Sequence, residues 1–151
     1  MIDRKEPQRT RVLVADDHPA VAEGLRTVLE PEFDVIATVG DGNALVAAAT
    51  TLTPDVIVTD IAMPGLDGIA AAGAILRRQP RARIVFVTVH NDAELVQKGL
   101  ATGALGYVLK LTAGEELVLA IHAALQGKQH VSPLIGGRKI QGSNDRAEGS
   151  T

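Results

Sequence analysis

Five short apolar runs alternate along the chain with segments in which apolar residues return every three or four positions. Unbroken or alternating apolar character reads as strand, and a 3.6-residue period reads as a helix packed on one side. The runs fall at residues 11–16, 33–39, 56–60, 83–88 and 104–109. Val56, Ile57, Val58 and Thr59 are all β-branched, and breakers bound them at Pro54 and Pro64-Gly65. Such a strand is buried on both faces, as in a parallel sheet. The run at 33–39 carries Asp34 and Thr38, which suits a sheet edge. Between the runs lie stripes at Val21, Leu25, Val28 and Leu29; at Leu45, Ala48, Ala49 and Leu52; and at Ile69, Ala72, Gly73 and Leu76. Two more follow, at Val96, Gly99 and Leu100 and at Leu117, Ala120, Ile121, Ala124 and Leu125. Asp67 is placed to cap the third helix, and Thr112-Ala113-Gly114-Glu115 has the capping-box pattern before the fifth.

Strand and helix in strict alternation predict an α/β fold whose crossovers are right-handed. The expectation is a flavodoxin-like, doubly wound sheet of five parallel strands in the order 2-1-3-4-5, with five helices and with strands one and three adjacent in the middle. The 151 residues suit one domain. Residues 1–10 read as a charged arm, 11–130 as the domain, and 131–151 as a linker or disordered tail with no effector domain, because Pro, Gly, Ser, Asn and charge replace any period there.

Composition then narrows the function classes. With no Cys, disulfides and thiolate metal sites are excluded. No apolar run is long enough to cross a bilayer and the N-terminus does not read as a signal peptide, so no membrane contact and a cytoplasmic location are expected. A net charge of −3 without a basic block predicts no direct DNA binding by this chain, so DNA would be met only through a further C-terminal domain.

The chemistry gathers at strand ends: Asp16 and Asp17 after the first, Asp60 after the third, Thr88 after the fourth and Lys110 after the fifth. In an open α/β sheet these ends share one edge, at the switch point where ligands bind. Singly, the acids are ordinary turn formers and Thr88 an ordinary strand residue; together they define a site. Three crowded carboxylates need more compensation than Lys110 alone provides, and an oxygen-rich cluster suits Mg²⁺. A carboxylate beside such a cation and a lysine is a competent nucleophile toward phosphorus, so Asp60 is expected to become an aspartyl phosphate. His18, His122 and His130 have no metal-ligand spacing, and His90 reads as a solvated loop residue and not a catalyst.

With these residues in place, the chain from about residue 11 to 127 resembles the receiver domain of two-component response regulators. The match rests on Asp16-Asp17, on Asp60 in DIAMPGLDG, and on Thr88, Tyr107 and Lys110. VADDHP, GALGYVLK and HVSP resemble the subgroup joined to a LuxR/NarL-type helix-turn-helix output. The resemblance implies that Asp16, Asp17, Asp60 and the Ala62 backbone carbonyl hold Mg²⁺, and that Asp60 takes its phosphoryl group from a sensor histidine kinase. Thr88 and Lys110 would bind that group, while Thr88 and an inward-turning Tyr107 would switch the face built from helix four, strand five and helix five. The product is a signalling domain, not an enzyme acting on a separate substrate, with transcription controlled if the native chain continues into a DNA-binding domain.

Homodimerisation stays open, as does a stand-alone receiver that works through protein contacts or as an unphosphorylated docking module. Two departures from the family pattern are Val89, where many receivers have Ala, and Leu111, where many have Pro. A haloacid-dehalogenase-like phosphatase would need an acid where Ala62 stands, and a flavodoxin-like binding module would need a phosphate loop where Asp16-Asp17-His18-Pro19 stands.

Overall fold

The computed structural model describes residues 8–133 and residue 135; the rest of the expected arm and tail lies outside the described residues. Six strands run β1 (Arg11–Ala15), β2 (Asp34–Val39), β3 (Val56–Thr59), β4 (Ile84–Thr88), β5 (Gly106–Leu109) and β6 (His130–Val131). The helices are α1 (Pro19–Leu29), α2 (Gly42–Leu52), α3 (Gly68–Arg78), α4 (Ala93–Ala101) and α5 (Ala113–Leu125). All pairings are parallel and the sheet order is β2-β1-β3-β4-β5-β6, the expected order with one strand added.

The period of two along each strand divides the core. Leu13, Ile57, Ile84, Phe86 and Tyr107 face α2, α3 and α4 through Leu45, Ala49, Ala71, Ala72, Ile75 and Val96. Val12, Val14, Val58, Val85, Val87 and Val108 face α1 and α5 through Leu25, Leu29, Leu117 and Ile121. Each such fully buried aliphatic contributes about 1.5–3 kcal/mol, and the β-branched residues match the pleat. β2 leaves Asp34 and Thr38 exposed, consistent with an edge.

Three local readings are corrected. First, Val131 does not begin an unstructured tail: with His130 it pairs beside β5, Ser132 is buried, and Ile135 reaches the core. A two-residue strand is too short to show a period. Second, Thr112 makes no side-chain cap. A 3-10 turn, Lys110–Thr112, runs directly into α5, so Thr112 lacks the extended backbone that a capping hydroxyl needs. Third, the buried face of α3 centres on Ala71, Ala72 and Ile75, with Ile69, Gly73 and Leu76 half-buried. The expected stripe, Ile69, Ala72, Gly73 and Leu76, shares Ala72 with this face and otherwise lies one residue further along, because the local period does not fix which side of the helix meets the sheet.

Candidate functional site

Register brings the two principal acids together. Ala15 on β1 lies opposite Thr59 on β3, so the next residues, Asp16 and Asp60, leave the sheet side by side. Their main chains stay tied to it: Asp16 N donates to Val39 O at 3.0 Å, and Asp60 N to Ala15 O at 2.9 Å. Asp16 Oδ1 accepts from His18 N at 2.9 Å, and Asp60 Oδ1 from Ile61 N at 2.6 Å.

Lys110 follows β5 and reaches back across β4. Its Nζ lies 2.9 Å from Oδ2 of Asp16 and 2.9 Å from Oδ2 of Asp60. Only the Asp60 contact is aligned as a hydrogen bond. Asp16 Oδ2 is therefore a buried oxygen that sits beside a cation but accepts no hydrogen bond. Burial pushes the Lys110 ammonium toward losing its proton, but its close contacts with Asp16 and Asp60 and their charge outweigh that and raise its pKa. The lysine stays a cation between two acids.

Asp17, with its side chain 30% exposed, faces solvent beside them. His18 Nδ1 lies 3.1 Å from Asp17 Oδ1 and 3.4 Å from Asp16 Oδ1, so Asp16, Asp17 and His18 form one group of converging ligand atoms. The sequence reading gave His18 no chemistry. Its only signal was direct succession to two acids at a helix entry, a pattern that spacing rules for dispersed ligands do not catch. Ala62, two residues beyond Asp60, is exposed in the following loop.

On the other side of the site, Thr88 is buried at the end of β4 and its Oγ1 accepts from His90 N at 3.3 Å. Tyr107 is turned inward, fully buried, and its hydroxyl donates to His90 O at 2.9 Å. Burial, then the charges of Asp92 and Asp60, push the phenol well above its ordinary pKa, so it remains a donor. Val89 and Leu111, next to Thr88 and Lys110, are the exposed apolar rim of this edge.

The loop after Asp60 is fixed by helix starts. Asp67 Oδ1 caps α3 by accepting from Ala70 N at 2.8 Å, as expected from sequence. Gly68 N donates to Ile61 O at 2.7 Å, and a Cβ on Gly68 would lie 1.9 Å from the Asp60 carbonyl oxygen. Only hydrogen fits there. Gly68→Ala is expected to displace the Asp60 peptide and to cost about 1–3 kcal/mol, as overpacking does. Thermal unfolding measures the cost, and a large shift of the Ile61 amide resonance would show the displacement; an unchanged Ile61 amide would contradict it.

A parallel sheet of this order, with two acids after β1, one after β3, a hydroxyl ending β4 and a lysine after β5, defines a receiver-type α/β signalling domain. The chain belongs to the response regulator receiver domain family, whose model matches residues 12–122. It is 42% identical over 122 residues to the transcriptional regulatory protein YxjL of Bacillus subtilis, covering 80% of this chain and 56% of that one. To the transcriptional regulatory protein LiaR of the same species it is 38% identical over 132 residues, covering 86% and 63%. The chain thus spans between half and two-thirds of these relatives' length. Among solved structures, the receiver domain of NarL from Mycobacterium tuberculosis superposes with a TM-score of 0.77 at 31% identity, covering 81% of this chain and all of that one. A LuxR-family response regulator from Aurantimonas gives 0.82 at 34% identity, covering 95% and 99%. The relatives are thus regulators of the NarL/LuxR type. Among the described residues, no helix is long and apolar enough to cross a membrane.

Proposed function

We infer that the chain is a phosphoacceptor switch in which Asp60 receives a phosphoryl group from the phosphohistidine of a sensor kinase. The observation that carries this reading is Lys110 Nζ held 2.9 Å from both Asp16 and Asp60 while Asp16 Oδ2 is left without a hydrogen-bond donor. One ammonium shared by two buried carboxylates, with Asp17 beside them, leaves negative charge uncompensated. A divalent cation fits: Asp16, Asp17, Asp60 and the Ala62 carbonyl offer hard oxygens of the kind Mg²⁺ takes. Bound there, Mg²⁺ would neutralise charge on the phosphoryl oxygens.

The protein's own groups do the rest. An Asp60 carboxylate oxygen forms the new bond to phosphorus as the phosphorus–nitrogen bond of the donor breaks, and the electron pair leaves with the imidazole. Lys110 then pairs with a phosphoryl oxygen. Thr88 Oγ1 accepts from His90 N, so its own proton is available to a phosphoryl oxygen. A Thr88 hydroxyl that leaves His90 for the phosphoryl group frees the backbone of residue 90, whose carbonyl holds Tyr107, and this passes the event to the α4–β5–α5 face.

Such a domain performs only its own phosphorylation and dephosphorylation and turns over no separate substrate. Output is transcriptional if a helix-turn-helix follows in the native protein, with DNA met through that domain and the protein in the cytoplasm; a stand-alone receiver, or a homodimer, would act through protein contacts. Intact-mass measurement after acetyl phosphate treatment tests the reading. One phosphoryl group per chain is expected with Mg²⁺ and none when the metal is chelated, and an unlabelled chain in Mg²⁺ would sink it.

A further inference from the structure

Beyond α5 the chain folds back onto the sheet. His130 N donates to Leu105 O at 3.0 Å and Ser132 N to Tyr107 O at 2.9 Å, laying β6 along the open edge of β5. Side chains then fasten it. Ser132 Oγ donates to Glu116 Oε1 on α5 at 2.7 Å and accepts from Leu109 N at 3.0 Å, while His130 Nε2 lies 3.0 Å from the same Glu116 oxygen. Burial pushes the Glu116 pKa up, but the hydrogen bonds from His130 and Ser132 outweigh that and lower it, which keeps the carboxylate an acceptor at neutral pH.

The placement of these bonds is informative. Leu109 is the last residue of β5, and the next is Lys110. Val131 lies opposite Tyr107, and Ile135, 2% exposed, joins the core cluster that contains Tyr107, Leu109 and Val96. Without this segment, the Tyr107 carbonyl and the Leu109 amide would lose their partners at an edge strand. The inward Tyr107, the Lys110 bridge and the docked segment occur together in one structure.

We propose that residues 128–133 together with Ile135 are a positioning element for Lys110 and Tyr107, acting through the Ser132 to Leu109 hydrogen bond and the packing of Ile135, so that their docking on β5 and occupation of Asp60 by a phosphoryl group strengthen each other. The proposal rests on the reading of Asp60 as phosphoacceptor. Coupling of this kind is reciprocal: whatever factor the occupied site adds to docking, docking adds to occupation.

Beryllofluoride with Mg²⁺ serves as the phosphoryl probe, its binding followed by the ¹⁹F resonance and docking by hydrogen exchange at the His130, Ser132 and Leu109 amides. In the wild-type chain, saturation is expected to slow exchange at these three amides by about five-fold or more, the lower range of allosteric couplings. Ser132→Ala and Ile135→Ala are expected to weaken beryllofluoride binding by up to the same factor. A purely structural segment would lower the melting temperature of the variants without touching that affinity, and this result would overturn the proposal. So would bound fluoride with unchanged or faster exchange in the wild type, a measurement that needs no variant. Absence of bound fluoride from the wild-type chain would overturn the phosphoacceptor reading, and the coupling with it.

Discussion

Asp60→Asn is expected to abolish phosphoryl incorporation while leaving the chain folded and somewhat more heat-stable than the wild type. The carboxamide has no anionic oxygen to form the bond to phosphorus, and no other acid shares its position: Asp16 Oδ1 is held by His18 N, and Asp17 lies toward solvent. Stability should move in the other direction. Asp16, Asp17 and Asp60 share one nearby ammonium, Lys110, and removing one negative charge relieves their repulsion without stranding the lysine, which keeps Asp16 at 2.9 Å. A rise of a few degrees corresponds to about 1 kcal/mol for a domain of this size. Intact mass after acetyl phosphate treatment and a thermal melt check both halves. Labelling equal to wild type would place the acceptor elsewhere.

Lys110→Ala is the converse experiment and should be the most destabilising single change at the site. It leaves two carboxylates, Asp16 with no side-chain exposure and Asp60 at 5%, facing the space of the lost ammonium. Removing one partner of a buried ion pair costs about 3–5 kcal/mol, because the charge left behind has neither water nor a counter-ion. A fall of about 10 °C or more in the melting temperature follows. If the acids are the cause, Mg²⁺ should recover more stability in the variant than in the wild type, since a cation bound to the folded state stabilises it by mass action. A variant melting within a degree or two of the wild type would mean that the bridge contributes little.

What the sequence disclosed and what it withheld follow from the range over which each signal acts. The strand at 56–59 was legible because four β-branched residues between breakers leave few alternatives. The meeting of Asp16, Asp60 and Lys110 was legible because parallel strands put their ends on one edge, the edge at which Thr88 also ends β4. Thr112 misled, since its capping-box pattern is local while the turn entering α5 is set by how Lys110 leaves β5. β6 was hidden for a related reason: two residues carry no period, and what holds them is Glu116 on α5 and the free edge of β5, both distant in sequence. His18 was missed because its placement depends on the turn between Asp17 and Pro19. The α3 face was placed one residue too far along, because whether Ala71 and Ile75 or Gly73 and Leu76 turn inward is decided by what they meet on the sheet.

The backbone of His90 holds Thr88 by its N–H and Tyr107 by its carbonyl. The link between hydroxyl and aromatic ring is thus written in main-chain atoms that every residue but one possesses in full. Position 90 is free to drift through nineteen side chains and keep the connection, and proline alone, lacking the N–H, would sever it. A substitution at position 90 to any residue but proline therefore leaves both hydrogen bonds open to the main chain.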